Sequence, residues 1–225
     1  KSLSNLEKML VLEINGKEKS IPCQWEEMTI DYYCGIYQII KKYQRTEEQK
    51  KEDEGKDLSK FFFVQQTKMY RELFCYMTGV SEKDVNKYPV DDVDAVISSL
   101  DNIMKDYEPK GIDSFDVDGV KYYFPMNFFS EGTFGEYIEA NQLEMGVEYL
   151  KNGRFDILPE QMAIMCKAVD EEVDLDNIDE KVAKFRKLTM DIVWEFSFFL
   201  NKRTTMCLNA IRMFSEQETQ SLLQS

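Results

Sequence analysis

The sequence contains no histidine among its 225 residues. Histidine is the general base of Ser-His-Asp and Cys-His catalytic sites and the commonest side chain that binds metals. Its absence therefore excludes both kinds of triad and every histidine-based metal site. No G-x-x-x-x-G-K-[ST] or G-x-G-x-x-G motif is present either, so the sequence predicts no phosphate-binding loop.

Cysteine is scarce and widely spaced. The five cysteines form no C-x-x-C pair, and a disulfide framework normally has an even number of cysteines at higher density. A structural zinc site would need four dispersed thiolates. We therefore expect the cysteines to behave as small buried apolar residues in a reducing cytoplasm. The five are Cys23, Cys34, Cys75, Cys166 and Cys207.

Long apolar runs are also absent. The longest apolar stretch, 192–200, contains Glu195 and Ser197 and is shorter than the ~18 residues that a membrane span needs. The N-terminal residues lack the apolar segment of a secretory signal peptide. The sequence therefore predicts no membrane partner.

The chain is strongly acidic. It carries 28 Lys and Arg against 42 Asp and Glu, which gives a formal net charge of -14. Nucleic-acid binding needs clustered basic side chains, so we expect no direct nucleic-acid partner. This charge suits a soluble protein or one whose partner is basic. Because 43% of the residues are hydrophobic, the chain can bury a substantial core.

Two segments of the sequence share one pattern. Asn15-Gly16 and Asp118-Gly119 are pairs that favour two-residue hairpin turns, and each is flanked by apolar-rich runs. Pro22 and Pro125 then end the second strand of each predicted hairpin, because proline cannot donate to a β-ladder. Each half of the chain is thus predicted to begin with a β-hairpin.

The shared pattern continues past each proline. An aromatic residue comes three positions later, and a threonine then caps a helix that carries a tyrosine four positions after the cap. In the second segment the threonine also begins a capping box that ends at Glu136. These features favour an internal duplication over two unrelated hairpin-to-helix junctions. The matched residues are Trp25 and Phe128, Thr29 and Thr133, and Tyr33 and Tyr137.

The predicted fold class is α+β, mainly helical, with two copies of a β-hairpin-plus-helices module. The first module spans 1–108 and the second 112–214, separated by Glu108-Pro109-Lys110-Gly111, and 215–225 is a polar tail. Residues 44–60 are a charged insertion, read as a solvated loop or helical extension, or alternatively as a partner-binding arm. Helical periodicity predicts helices over 29–43, 58–78, 90–104, 133–150, 159–169 and 179–214, the last broken near Asn201.

Acidic residues offer few signs of a metal site. Asp116-x-Asp118-Gly119 resembles part of an EF-hand loop, but that alignment places Pro125 where calcium needs a bidentate glutamate. Asp91-Asp92-x-Asp94 and the stretch 170–180 lie in single runs, whereas a two-metal site needs carboxylates that converge from several elements. We therefore expect no catalytic residue, no cofactor and no metal ligand.

Aromatic residues occur in adjacent groups whose rings cannot all be buried in one core. Consecutive residues on a helix point about 100° apart, so at least one ring of each group faces a second surface. That surface is a partner, or alternatively the other half of the chain. The candidate partner-interface residues are Phe61, Phe62, Phe63, Phe129, Trp194, Phe198 and Phe199.

The order of hairpin, Pro-x-x-Trp or Pro-x-x-Phe, and capped helix resembles small proteins of tailed phages that infect Bacteroidetes, including crAss-like phages. The residues that carry the resemblance are Asn15-Gly16, Pro22, Trp25, Thr29 and Tyr33, with Asp118-Gly119, Pro125, Phe128, Thr133 and Tyr137. Such proteins are tail-ring components or tail assembly chaperones. The resemblance implies a non-enzymatic role, a place in the virion, and host cytoplasm during assembly.

Three functions follow as hypotheses. The first is a virion structural protein, a ring or adaptor subunit of the neck or tail, whose partners are other virion or tail proteins and copies of itself. The second is a cytoplasmic tail assembly chaperone that shields an apolar tail protein. The third is an acidic, metal-dependent hydrolase or nuclease, which would need carboxylates that converge in a pocket.

Overall fold

The computed structural model describes residues 10–103, 107–124, 153–169, 171 and 178–202. These residues form an α+β fold that is mainly helical and contains two small antiparallel sheets, which confirms the predicted fold class. The chain divides into two compact units, the first ending at Asp106 and the second beginning at Tyr107. Each unit contains one of the two predicted hairpins.

Both hairpins close with the expected turn. In the first, strands β1 (Leu10–Ile14) and β2 (Lys17–Ile21) pair antiparallel around Asn15 and Gly16, whose φ angles are 52° and 73°. In the second, Asp118 and Gly119 have φ angles of 50° and 80°. Positive φ at both central residues is what a two-residue hairpin turn with the right twist requires. Asp118 therefore lies in a turn rather than in a calcium loop.

Four helices follow the first hairpin. Thr29 caps α1, since its hydroxyl accepts a hydrogen bond from the Tyr32 amide at 3.4 Å. Gly79 ends α3 in the left-handed conformation, with φ of 74°, as a C-terminal glycine normally does. The helices are α1 (Ile30–Tyr43), α2 (Glu47–Glu52), α3 (Ser59–Thr78) and α4 (Val90–Ile103).

The core of the first unit lies where α1, the C-terminal half of α3 and α4 meet the hairpin. Its members are apolar residues at helical spacing, so each helix turns one face inward. The most deeply buried are Ile21, Met28, Ile30, Ile36, Leu73, Phe74, Met77, Val96 and Ile103.

The second unit combines a three-stranded sheet with helices. The hairpin strands are β3 (Ser114–Val117) and β4 (Val120–Tyr123), and the short strand β5 (Lys167–Ala168) pairs with β4 to give the order β3-β4-β5. The helices are α5 (Leu158–Met165), α6 (Ile178–Phe185) and α7 (190–202). Pro159 lies in the first turn of α5, as predicted.

Two predicted helices differ from the helices in the structure. The helix predicted over 159–169 ends at Met165, because Lys167 and Ala168 pair with Tyr123 and Tyr122 instead. The helix predicted over 179–214 is broken at 186–189; Asn201 is helical, and the residues after 202 lie outside the described ones. The Thr189 hydroxyl donates a hydrogen bond to the Asp191 carboxylate, and this local side-chain contact marks the start of α7.

The internal duplication stays a prediction. The two hairpins agree in turn geometry, but the second capped helix, with Thr133 and Tyr137, lies outside the described residues. Phe128, Phe129, Pro125 and the polar tail 215–225 lie outside them as well.

Candidate interaction surfaces

The N-terminal half of α3 carries no buried side chain. No side chain from Ser59 to Glu72 is buried, and the buried residues of this helix begin at Leu73. Phe61, Phe62, Phe63 and Val64 have exposed fractions of 46%, 49%, 70% and 47%. These four side chains are named here the aromatic patch. The three phenylalanines among them are the ones that the sequence indicated.

Arg45 contacts the aromatic patch from the segment that joins α1 to α3. Its guanidinium lies 5.9 Å from the centre of the Phe61 ring and 5.6 Å from that of Phe62, within the range of cation–π attraction. The same group forms an ion pair with Asp53 and donates to the Gln49 carbonyl at 2.6 Å. Arg45 therefore connects the charged insertion to two rings of the patch.

A cavity of about 330 Å³ lies beside these contacts. Its walls combine the aromatic side chains with charged and amide groups, including Tyr43, Asp53 and Gln65. The short helix α2 above it has no buried residue and is held by a capping box between Thr46 and Gln49. The cavity therefore separates an exposed helix from the base of the aromatic patch.

A polar network joins α1 to the middle of α3. The Lys42 ammonium donates to both carboxylate oxygens of Glu72, at 3.0 and 2.7 Å, and the Tyr43 hydroxyl donates to one of them at 2.9 Å. Hydrogen bonding from Lys42 holds the pKa of the Glu72 carboxyl below its usual value. Partial burial raises the pKa of Tyr43, and its hydrogen bond to Glu72 adds to the effect. At neutral pH the network is thus an ion pair with a neutral phenol.

The candidate aromatic residues of α7 make contacts within the second unit. Trp194 is half-buried, with its ring 5.7 Å from that of Phe155 in an edge-on arrangement. Phe199 packs on Phe124 at 5.6 Å. Phe198 has an exposed fraction of 40% and stacks on Tyr107 at 6.2 Å. Of these three rings, Phe198 offers the most surface to a partner.

The buried carboxylate of Glu195 binds the first residues of the second unit. The sequence predicted no role for it. Glu195, 3% exposed, accepts hydrogen bonds from the Tyr107 hydroxyl at 2.8 Å, the Gly111 amide at 3.0 Å and the Lys110 amide. Its signal was a single acid in the middle of the apolar stretch 192–200. Such a residue must find donors when its helix face is buried.

The described cysteines differ in burial, whereas Cys207 and most of the acidic stretch 170–180 lie outside the described residues. Cys166 is fully buried, and burial raises the pKa of its thiol, whereas Cys23, Cys34 and Cys75 are half-buried. Asp91 and Asp94 lie exposed on α4. Within the described ranges, no group of three His, Cys, Asp or Glu side chains is placed to hold a metal ion. No helix in that part of the chain is long and apolar enough to cross a membrane.

Comparison of the chain with models of known protein families, with curated protein sequences and with solved structures finds no match.

Proposed function

We propose that the chain is a non-enzymatic structural protein of a tailed-phage virion, a ring or adaptor subunit of the neck or tail. The observation that carries the proposal is the aromatic patch, in which four consecutive apolar side chains are each at least 46% exposed. Large apolar side chains exposed together on one short segment mark protein–protein contact sites. The resemblance of the hairpin–helix pattern to phage tail proteins supplies the biological setting.

The patch can supply useful binding energy. Complete burial of one phenylalanine is worth about 1.5–3 kcal/mol, and these side chains are roughly half exposed in the isolated chain. Because consecutive helical side chains point about 100° apart, one partner surface reaches about two of the four, and their burial contributes about 2 kcal/mol before the costs of association. A ring subunit repeats each interface around the assembly, so moderate contacts of this size add up to a stable particle.

The expected partners are other virion proteins and copies of the chain itself. We expect the protein to remain in purified particles at fixed stoichiometry, as measured by quantitative mass spectrometry. A chaperone would instead copurify with a tail protein from infected cells and be absent from particles. Absence from particles would therefore contradict the structural role and favour the tail assembly chaperone.

The role of the aromatic patch is tested by Phe63→Ser. Phe63 is 70% exposed, so the change removes apolar surface without opening the core, and we expect the free energy of unfolding to stay the same. We expect self-association, measured by light scattering and native mass spectrometry, to weaken about fivefold to tenfold because ~1 kcal/mol or more of burial is lost.

The matched control for that variant is Val90→Ser. Val90 is 72% exposed at the start of α4, in the same unit but outside the aromatic patch. We expect this change to leave association at the level of the parent protein. Equal association of the two variants would show that the aromatic patch is not the contact surface.

A further inference from the structure

We propose that residues 44–58, named here the strap, form a cover over one side of the aromatic patch and that Arg45 is its latch. Release of the latch would uncover Phe61 and Phe62 for a second copy of the chain. The proposal deepens the proposed function, on which the role of the released state rests. The latch itself requires no partner.

The strap contains a single apolar side chain, Leu58, at its end next to α3. All residues from Thr46 to Glu52 are exposed, and within the strap only Arg45, Asp53 and Leu58 are partly buried. A segment held by packing buries apolar side chains, whereas α2 buries none. Attachment of the strap therefore depends on polar contacts.

Arg45 gathers those contacts at one point. Its guanidinium bonds the Gln49 carbonyl on α2, pairs with Asp53 beyond α2, and lies over the rings of Phe61 and Phe62 on α3. The side chains of Arg45 and Asp53 are only 17% and 23% exposed, so solvent screens this pair less than an open surface pair. A planar guanidinium can make all of these contacts at once, which a lysine cannot.

The strap rests on the patch without close packing. The cavity of about 330 Å³ among Arg45, Asp53, Phe61 and Phe62 is half open to solvent, so the strap leaves a gap beside the two rings. Phe61 and Phe62 are 46% and 49% exposed, against 70% for Phe63, which Arg45 does not cover. The two rings under the strap are thus shielded rather than buried.

Local contacts keep the strap together as one body. The capping box of Thr46 and Gln49, the Lys50–Glu47 pair at 2.6 Å and the Lys56–Asp53 pair at 3.2 Å all join residues within the strap. Gly55, with φ of 80°, lies near its C-terminal end and can absorb a change of backbone angle. Loss of the Arg45 contacts would therefore free the strap without unfolding α1 or α3.

The test measures the exposure of individual phenylalanine side chains by hydroxyl-radical footprinting of the full chain. In Arg45→Gln we expect oxidation of Phe61 and Phe62 to rise about 1.5-fold, toward the rate of Phe63, because their exposed fractions approach that of the uncovered ring. Asp53→Asn, which breaks the ion pair but keeps the arginine, is expected to act in the same direction. Oxidation of Phe63 should not change.

Lys50→Gln is the matched control, because it removes one positive charge and one ion pair from the strap without touching a ring. We expect it to leave Phe61 and Phe62 at the parent rates. The latch is overturned if Arg45→Gln and Asp53→Asn also leave them unchanged, or if Phe63 rises equally and so reports general loosening of α3.

Failure of the latch is distinguishable from failure of the proposed function. If the latch opens as expected, Arg45→Gln should self-associate more strongly than the parent chain, and adding Phe63→Ser should cancel the gain. Faster oxidation of Phe61 and Phe62 without stronger self-association would support the latch and contradict the interface role of the patch. Unchanged oxidation of these two residues, together with weaker association of Phe63→Ser, would overturn the latch and leave the interface standing.

Discussion

Gly35 allows α1 and α3 to approach each other closely. A Cβ atom built on Gly35 would overlap the hydroxyl and ring of Tyr76 on α3. The Tyr76 hydroxyl donates to the Tyr32 carbonyl at 3.3 Å, and the two tyrosine rings lie 5.4 Å apart. Burial raises the pKa of Tyr76, so this phenol stays a donor well above neutral pH. A single missing side chain thus makes room for a polar and aromatic contact between two helices.

Replacement of Gly35 by alanine should therefore depend on its neighbour. Alanine favours a helix interior by ~1 kcal/mol over glycine, but here it displaces a hydrogen-bonded ring, a loss of about 2–3 kcal/mol. We expect Gly35→Ala to lower the free energy of unfolding by about 1–2 kcal/mol in chemical denaturation. In a Tyr76→Ala background the same change should raise it by about 0.5–1 kcal/mol. Equal effects in both backgrounds would show that the two residues do not compete for space.

At the scale of the element, the sequence predicts those turns and helix ends that depend on neighbouring residues. The hairpin turns at Asn15 and Asp118, the Thr29 cap and the Gly79 end of α3 all depend on nearby residues, and the structure confirms each of them. Strand β5 was missed because two residues form it only by pairing with β4. The break at 186–189 was missed because no proline or glycine marks it.

Some features of the candidate interaction surfaces could likewise be predicted from the sequence, and others could not. Three adjacent phenylalanines on α3 can be recognised from their spacing, because one helix face cannot bury all three. The position of Arg45 over two of those rings depends on how α1, α2 and α3 turn relative to one another, which no short pattern records. The hydrogen bonds of Glu195 likewise come from residues far away in the sequence.

Glu195 should stabilise the second unit by holding the segment before β3 against α7. A carboxylate offers two acceptor oxygens to the donors of Tyr107, Lys110 and Gly111, whereas glutamine would turn its NH2 group toward one of them. We expect Glu195→Gln to lower the free energy of unfolding by about 2–3 kcal/mol, because charge-assisted hydrogen bonds are lost in a buried site. The fluorescence of the neighbouring Trp194 would follow the denaturation.

Glu180→Gln is the surface counterpart of that substitution. Glu180 is 81% exposed and pairs with Lys184 one turn later, so the change removes the same charge from the same unit. Exposed pairs of this kind contribute little, and the unfolding midpoint should therefore stay where it is. If both glutamine variants unfolded at the same denaturant concentration, the hydrogen bonds to Glu195 would not be stabilising the unit.

At the scale of the whole molecule, net charge and apolar surface act against each other in self-association. Every copy carries a formal charge of -14, so two copies repel each other. Dissolved salt limits this repulsion to separations of about one Debye screening length. That distance is about 30 Å at 0.01 M ionic strength and about 8 Å at 0.15 M. The aromatic patch attracts by removal of apolar surface from water, which salt does not weaken. Ionic strength should therefore decide which of the two effects wins.

We expect self-association to strengthen several-fold as sodium chloride rises from about 0.01 M to about 0.3 M, because only the repulsion is screened over that range. Sedimentation equilibrium at fixed protein concentration and neutral pH measures the change directly. Phe63→Ser should weaken association at every salt concentration but leave the fold-increase with salt unchanged, because the substitution alters neither the net charge nor its screening. An interface held by ion pairs behaves in the opposite way and weakens with added salt. A complex that dissociates as salt is added would therefore assign the contact to charged side chains such as those of the strap, and not to the aromatic patch.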